Sequence, residues 1–235
     1  LRVLFRGMNG VLRKLLALLC GGWAVASCPG EPFLAPGDLF LRHDLRWLAD
    51  AEGYEAPAQT WPMSWSGIDA EMERAREDGP SRARLAERLD FERKPGWMPA
   101  RTWLGARSGG GSARSFGREP RGKFETGVEV AWMGDRFAGK LVVGRTWAAE
   151  TDWKGRRDEG LRFDGSYFAA RLGNWATGFG QVDRWWGPGW DGALLLSSNA
   201  RPVPAVFVER RTAEAFENKW LGWLGPWTAM SFIGR

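Results

Sequence analysis

The chain has 235 residues, 44% hydrophobic and 26% charged, which suits one or two folded domains and excludes low-complexity disorder. Two cysteines exclude a disulfide scaffold, and no apolar run reaches the ~18 residues of a membrane-spanning helix. The net charge of +5 is not a nucleic-acid signature: Arg2, Arg6, Arg13 and Lys14 all precede residue 27, and the rest carries 29 basic against 28 acidic groups. What stands out is Trp, with sixteen against two Tyr.

Residues 8–26 read as an export signal. Arg13 and Lys14 form a basic start, Leu15 to Leu19 open an apolar stretch too short to cross a bilayer, and Ala24-Val25-Ala26 is a small-x-small cleavage site. Translation is expected to begin at Met8, so 1–26 is assigned to leader and signal peptide. Val25-Ala26-Ser27-Cys28 also fits a lipobox with Cys28 lipidated; simple cleavage after Ala26 is preferred.

Residues 27–99 read as a small helical bundle. His43 to Ala51 place Leu45, Leu48 and Ala49 at helical spacing. Ser66 is the expected N-cap of a second helix through Ile68, Met72 and Ala75, with Glu71, Glu73 and Arg74 on its wet side. Ser81 is the expected cap of a third, carrying Leu85, Leu89 and Glu92 or Arg93, and Gly79-Pro80 and Lys94-Pro95-Gly96 break the pattern on either side. Three such short, charged helices must dock on something else.

From residue 100 the period becomes two. Phe124, Thr126, Val128, Val130 and Trp132 alternate with Glu125, Gly127, Glu129 and Ala131. Leu161, Phe163, Gly165, Tyr167 and Ala169 alternate with Arg162, Asp164, Ser166 and Phe168. Five further strands are expected at 102–107, 137–146, 175–184, 204–210 and 226–235. Short connections (133–136, 173–174) alternate with long ones (108–122, 147–160, 185–203), the loop sorting of an outer-membrane barrel. The fifteen residues 211–225 break that parity and read as an inserted element on the short-turn side. Seven strands are one short of the smallest barrel, so the sequence reads as the front part of a longer protein.

The densest constellation is Arg184-Trp185-Trp186-Gly187-Pro188-Gly189-Trp190-Asp191-Gly192, followed by Asn199 and Arg201. Trp faces stack on sugar rings, while Asp, Asn and Arg bond hydroxyls directionally. Arg184, Trp185, Trp186, Trp190, Asp191, Asn199 and Arg201 are therefore the candidate carbohydrate contacts. The competing reading makes the same Trp residues a structural rim girdle. No catalytic residue, cofactor or metal site is assigned. His43 is the only histidine and is read as a packing or interface residue, Glu125 and Glu129 as polar inner-face residues, and Gly109-Gly110-Gly111 as a flexible loop.

Pro36-Gly37-Asp38, Leu41-Arg42-His43-Asp44-Leu45, Leu48-Ala49-Asp50-Ala51, Thr60-Trp61-Pro62 and Trp65 resemble the start of the Wzi-type capsule assembly proteins. The run from Asp183 to Gly192, continuing through Leu194 to Asn199-Ala200-Arg201-Pro202-Val203-Pro204, is similar to that family's most distinctive stretch. The resemblance implies a mainly β protein, an antiparallel transmembrane outer-membrane β-barrel preceded by a three-helix periplasmic plug. It implies a lectin-like, non-enzymatic role: binding capsular polysaccharide or exopolysaccharide at the surface of a Gram-negative cell. The expected partners are that glycan, outer-membrane lipid and lipopolysaccharide, with no nucleic acid and a monomeric barrel. The alternative is an outer-membrane sugar channel lined by Glu125, Glu129, Arg162 and Asp164.

Overall fold

A computed structural model of the chain describes residues 33–51, 58–74, 79–92, 94–108, 114–149, 159–218 and 220–235, with 151, 155 and 157. The signal segment, Cys28 and the run of three glycines lie outside the described residues.

Three helices form. Helix α1 (Leu39–Ala51) opens where the Asp38 carboxylate accepts the Leu41 amide at 3.0 Å, an N-cap that frees the first turn from an unpaired donor. Its buried stripe is Leu41, Leu45 and Leu48, whereas Ala49 is exposed and His43 points to solvent. Helix α2 (Trp65–Arg74) starts one residue before the expected cap Ser66. It buries Ile68 and Met72 but also Glu71, so the expectation of a wet Glu71 fails. Helix α3 (Pro80–Glu92) opens on proline, where the missing N–H would have gone unpaired anyway. Ser81 lies inside its first turn and donates to Asp44 at 2.8 Å instead of capping. Leu85, Leu89 and Glu92 are buried, as their spacing predicts.

The short strands β1 (Phe33–Leu34), β2 (Thr60–Trp61) and β3 (Met63–Ser64) flank these helices, with β1 pairing β3. The main sheet is an antiparallel meander. It comprises β4 (Gly96–Trp97), β5 (Arg101–Ala106), β6 (Gly122–Met133), β7 (Phe137–Ala149), β8 (Gly160–Arg162), β9 (Tyr167–Leu172) and β10 (Trp175–Gly180). After the small β11 (Trp185–Trp186), β12 (Ala205–Glu214) and β13 (Trp227–Gly234) complete it. Strands β4 and β5 share one side of β6, and β8 and β9 share one side of β7, which leaves the seven rows that alternation predicts. Among the described residues the two outermost rows do not pair with each other, so the sheet does not close.

Two strand expectations are corrected. The stretch 161–169 is not one strand: a turn with Gly165 at φ +94° separates β8 from β9 and shifts the phase. Leu161 and Phe163 are exposed before it, while Tyr167 and Ala169 are buried and Phe168 exposed after it. The strand expected at 175–184 stops at Gly180, because residues 185–186 leave the sheet to pair with β2.

The two faces differ in chemistry. One carries Leu104, Val128, Leu141, Phe168, Phe179, Val206 and Ile233, all exposed. The other is covered by helices and loops and carries Glu125, Glu129 and Lys140 among small residues. Phe33 of β1 lies against this inner face, its ring 5.8 Å from Tyr167 and 5.1 Å from Phe207. Near the short-turn end α2 presses on β12 so closely that a Cβ on Gly67 would stand 2.7 Å from the Arg211 carbonyl. No helix among the described residues is long and apolar enough to cross a membrane.

Candidate functional site

The Trp-rich segment folds inward, which removes the competing reading of its tryptophans as a rim girdle. Trp185 and Trp186 pair antiparallel with Trp61 and Thr60, and the Gly187 amide donates to the Gln59 carbonyl at 3.0 Å. Trp185 has 0% of its surface exposed. A Cβ on Gly189 would collide with the Gly192 carbonyl, so the Gly-Pro-Gly-Trp-Asp-Gly turn owes its tightness to glycine.

At the centre of this contact is Phe116, brought in by the long loop between β5 and β6. Its ring meets Trp61 at 5.0 Å, Trp185 at 5.5 Å and Trp190 at 6.3 Å, each edge to face. The wholly buried Arg42 of α1 lays its guanidinium 4.1 Å from the Phe116 centroid and 4.6 Å from that of Trp190. It also donates to the Gly187 and Pro188 carbonyls at 3.2 and 3.0 Å. Burial, with the nearby Arg46 charge, lowers the Arg42 pKa to about 10, so it stays charged at neutral pH. The aromatic box is thus filled by the protein's own cation, and the segment clamps the helices to the inner face.

The other candidate contacts are placed as follows. Arg184 is buried with its guanidinium 3.8 Å from the Phe232 centroid. Trp186 meets the same ring at 5.9 Å. Asp191 is exposed. Asn199, also exposed, accepts the Arg114 amide through its side chain, and Arg201 binds Asp164 at 2.6 Å. Of these seven residues Arg184 and Trp185 are buried, Trp186, Trp190 and Arg201 are half-buried, and Asp191 and Asn199 are exposed.

Beside the clamp lies a cavity of about 600 Å³, walled by the inner strand face, the helices and the two long loops. Trp103 of β5 lies over Gly127, where a Cβ would collide with its indole. The Arg118 guanidinium sits 5.1 Å from the Trp103 ring and 3.9 Å from Glu129. Arg101 reaches both Glu92 and Glu129 at 3.6 Å, and Arg121 joins Asp183 at 3.4 Å and Asp164 at 3.8 Å. The Arg121 amide donates to Glu125 at 2.8 Å. Burial raises the Asp183 pKa, against the pull of Arg121 and Arg114. Burial lowers Arg114 to about 10, and its side chain donates to the Ser198 and Glu119 carbonyls. The wall is therefore a lattice of directional donors and acceptors beside the flat indole of Trp103, with the buried Trp65 also in the lining.

Of the four residues named for the alternative channel, Glu125, Glu129 and Asp164 line the cavity and Arg162 does not, while Arg42, Trp103, Phe116, Arg118 and Arg121 were not among the candidate contacts. Arg42 did leave a signal, since it stands three residues before Leu45 on the buried stripe. So did Trp103, which falls on the inner phase between the outward Thr102 and Leu104. Among the described residues no group of His, Cys, Asp and Glu is arranged to hold a metal.

A meander with an apolar outward face and a helical plug on its polar inner face has the architecture of a β-barrel wall. The chain belongs to the family of the capsule assembly protein Wzi, whose match covers residues 101–235. It is 28% identical over 204 residues to an uncharacterised 55.8 kDa protein in the cps region of Klebsiella pneumoniae, covering 83% of this chain and 38% of that protein. It is also similar to the solved structure of Escherichia coli Wzi, described as an outer membrane protein involved in group 1 capsule assembly and a carbohydrate-binding β-barrel. The TM-score there is 0.71 at 26% identity, over 87% of this chain and 45% of that one. The chain thus spans less than half the length of either relative.

Proposed function

We propose that this chain forms part of an outer-membrane β-barrel that binds capsular or exported polysaccharide at the cell surface without altering it chemically. The carrying observation is the inner cavity, in which a flat indole and a paired lattice of arginines and carboxylates face one space. Its volume falls within the roughly 300–1,000 Å³ of ligand sites. Trp103 offers a stacking face, and Arg118, Arg121, Glu125, Glu129 and Asp164 offer bonds to sugar hydroxyls. Asp191, Asn199 and Arg201 extend this surface at the accessible margin, while Trp185, Trp186, Trp190 and Arg184 brace it.

The outward face supports a membrane setting. Along β7 its residues run Phe137, Gly139, Leu141, Val143, with Arg145 next. Phe137 to Val143 gives four successive outward positions that are apolar or glycine, the pattern of a lipid-facing barrel strand. Residues 1–26 serve as leader and export signal, 27–99 as the periplasmic plug and 100–235 as barrel strands. Phe33 packed on the inner face, and the clamp holding the helices there, favour a plugged barrel over an open sugar channel.

The test is retention of isolated capsular polysaccharide by outer membranes displaying the protein. Trp103→Ala and Arg118→Ala are expected to lower retention at least tenfold together, a loss of about 1.4 kcal/mol. Unchanged retention in both variants would remove the cavity from the binding site.

A further inference from the structure

The segment joining β12 to β13 at the short-turn end is a built structure with an exposed apolar surface. Asn218 accepts the Trp220 and Leu221 amides through its side chain at 2.7 and 3.0 Å and the Gly222 amide through its carbonyl at 2.8 Å. A 3₁₀ turn follows at Gly222–Leu224, ended by Gly225 at φ +68°, a conformation that favours glycine. From this scaffold project Trp220 (77% exposed), Trp223 (79%), Leu221 and Leu224.

The base of the segment shows which side of the sheet it covers. Arg210 is opposite Trp175 in the β10–β12 register, and directly opposed residues share a face. It also follows Val206 and Val208 in the outward phase. Arg210 is nevertheless buried. Its guanidinium lies 4.3 Å from the Trp227 centroid and 5.1 Å from that of Phe216, and it donates to the Trp227 and Glu214 carbonyls. Trp227 in turn meets the outward Trp175 ring at 6.1 Å. The segment therefore folds over the outward face, hides a cation that would be costly there, and continues the apolar band towards the turn end.

We infer that this hairpin is an interfacial anchor, with Trp220 and Trp223 seated in the phospholipid headgroup layer at the turn side of the barrel. Amphipathic indole rings favour that layer, and the outward band runs directly into the segment. The inference rests on the membrane setting proposed above.

The test uses the full chain, with Cys20→Ser and Cys28→Ser, reconstituted in phosphatidylethanolamine/phosphatidylglycerol bilayers. Trp223→Cys and, separately, Leu141→Cys carry an environment-sensitive fluorophore; both parent side chains are exposed, so neither change removes core packing. Spin-labelled lipids quench from the headgroup or from deep in the acyl chains. The expected result is quenching at 223 at least about twofold stronger from the shallow label, with the reverse preference at 141. An unquenched or deep-quenched 223 beside a deep-quenched 141 overturns the anchor and leaves the membrane setting standing. No quenching at either position overturns both.

Discussion

Two tryptophan-rich segments bury an arginine between aromatic rings and have opposite fates. In the 183–201 loop the cation is Arg42, borrowed from α1, and the rings are Phe116 and Trp190. In the β12–β13 segment the cation is Arg210, and the rings are Phe216 and Trp227 from the segment itself. The first brings together parts of the chain more than a hundred residues apart and leaves Trp185 without exposed surface. The second closes on its own hairpin and leaves Trp220 and Trp223 largely bare. Tryptophan content is therefore no guide to role; the origin of the cation and its carbonyl acceptors is.

The largest expected effect comes from hollowing the first segment. Trp185→Ala removes a fully buried indole and should destabilise the fold by about 3–5 kcal/mol, read by denaturant unfolding in detergent. Trp223→Ala should stay within about 0.5 kcal/mol in the same assay, because it removes no packing. Equal losses would erase the distinction between the segments.

Arg42→Met comes next. It keeps much of the volume but leaves the Gly187 carbonyl without its donor and the Pro188 carbonyl with Arg46 alone, a loss of about 1–3 kcal/mol in unfolding. Gly189→Ala should cost a similar or smaller amount, about 1–3 kcal/mol, through the collision with Gly192 O.

The smallest effect is one of pH. Burial pushes the Asp44 carboxyl up, but the hydrogen bonds from Arg84 and Ser81 outweigh it and hold the pKa below its ordinary value. A depressed carboxyl contributes stability that is complete above its unfolded value and lost as pH falls through the folded one. Asp44→Asn should therefore weaken the helical bundle at neutral pH, and the gap from wild type should narrow in acid. A gap constant from pH 7 to pH 3 would contradict this.

Much of the fold was legible in the sequence because period-two alternation depends on few neighbours. Strands β6 and β7 extend only a few residues beyond their expected bounds. The failures have two causes, a turn hidden within the alternation and neighbours distant in sequence. Residues 161–169 alternate without a break on paper, but Gly165 turns the chain and shifts the phase. Glu71 was placed in water because its helix was read without β12 beside it. The direction in which the 183–201 loop folds was illegible, since it depends on Arg42 and Thr60-Trp61 far away in sequence. The anomalous length of 211–225 was visible, but its placement over the outward face needed the register of Arg210.

The central claim is that the sheet meets lipid on one face and water on the other. Thiol labelling with a membrane-impermeant maleimide tests it in bilayer-reconstituted protein carrying Cys20→Ser and Cys28→Ser. Lys140→Cys and Ala131→Cys, on the cavity wall, should label, while Leu141→Cys and Val143→Cys should stay protected until detergent is added. Labelling of 141 and 143 as fast as 140 would contradict the account.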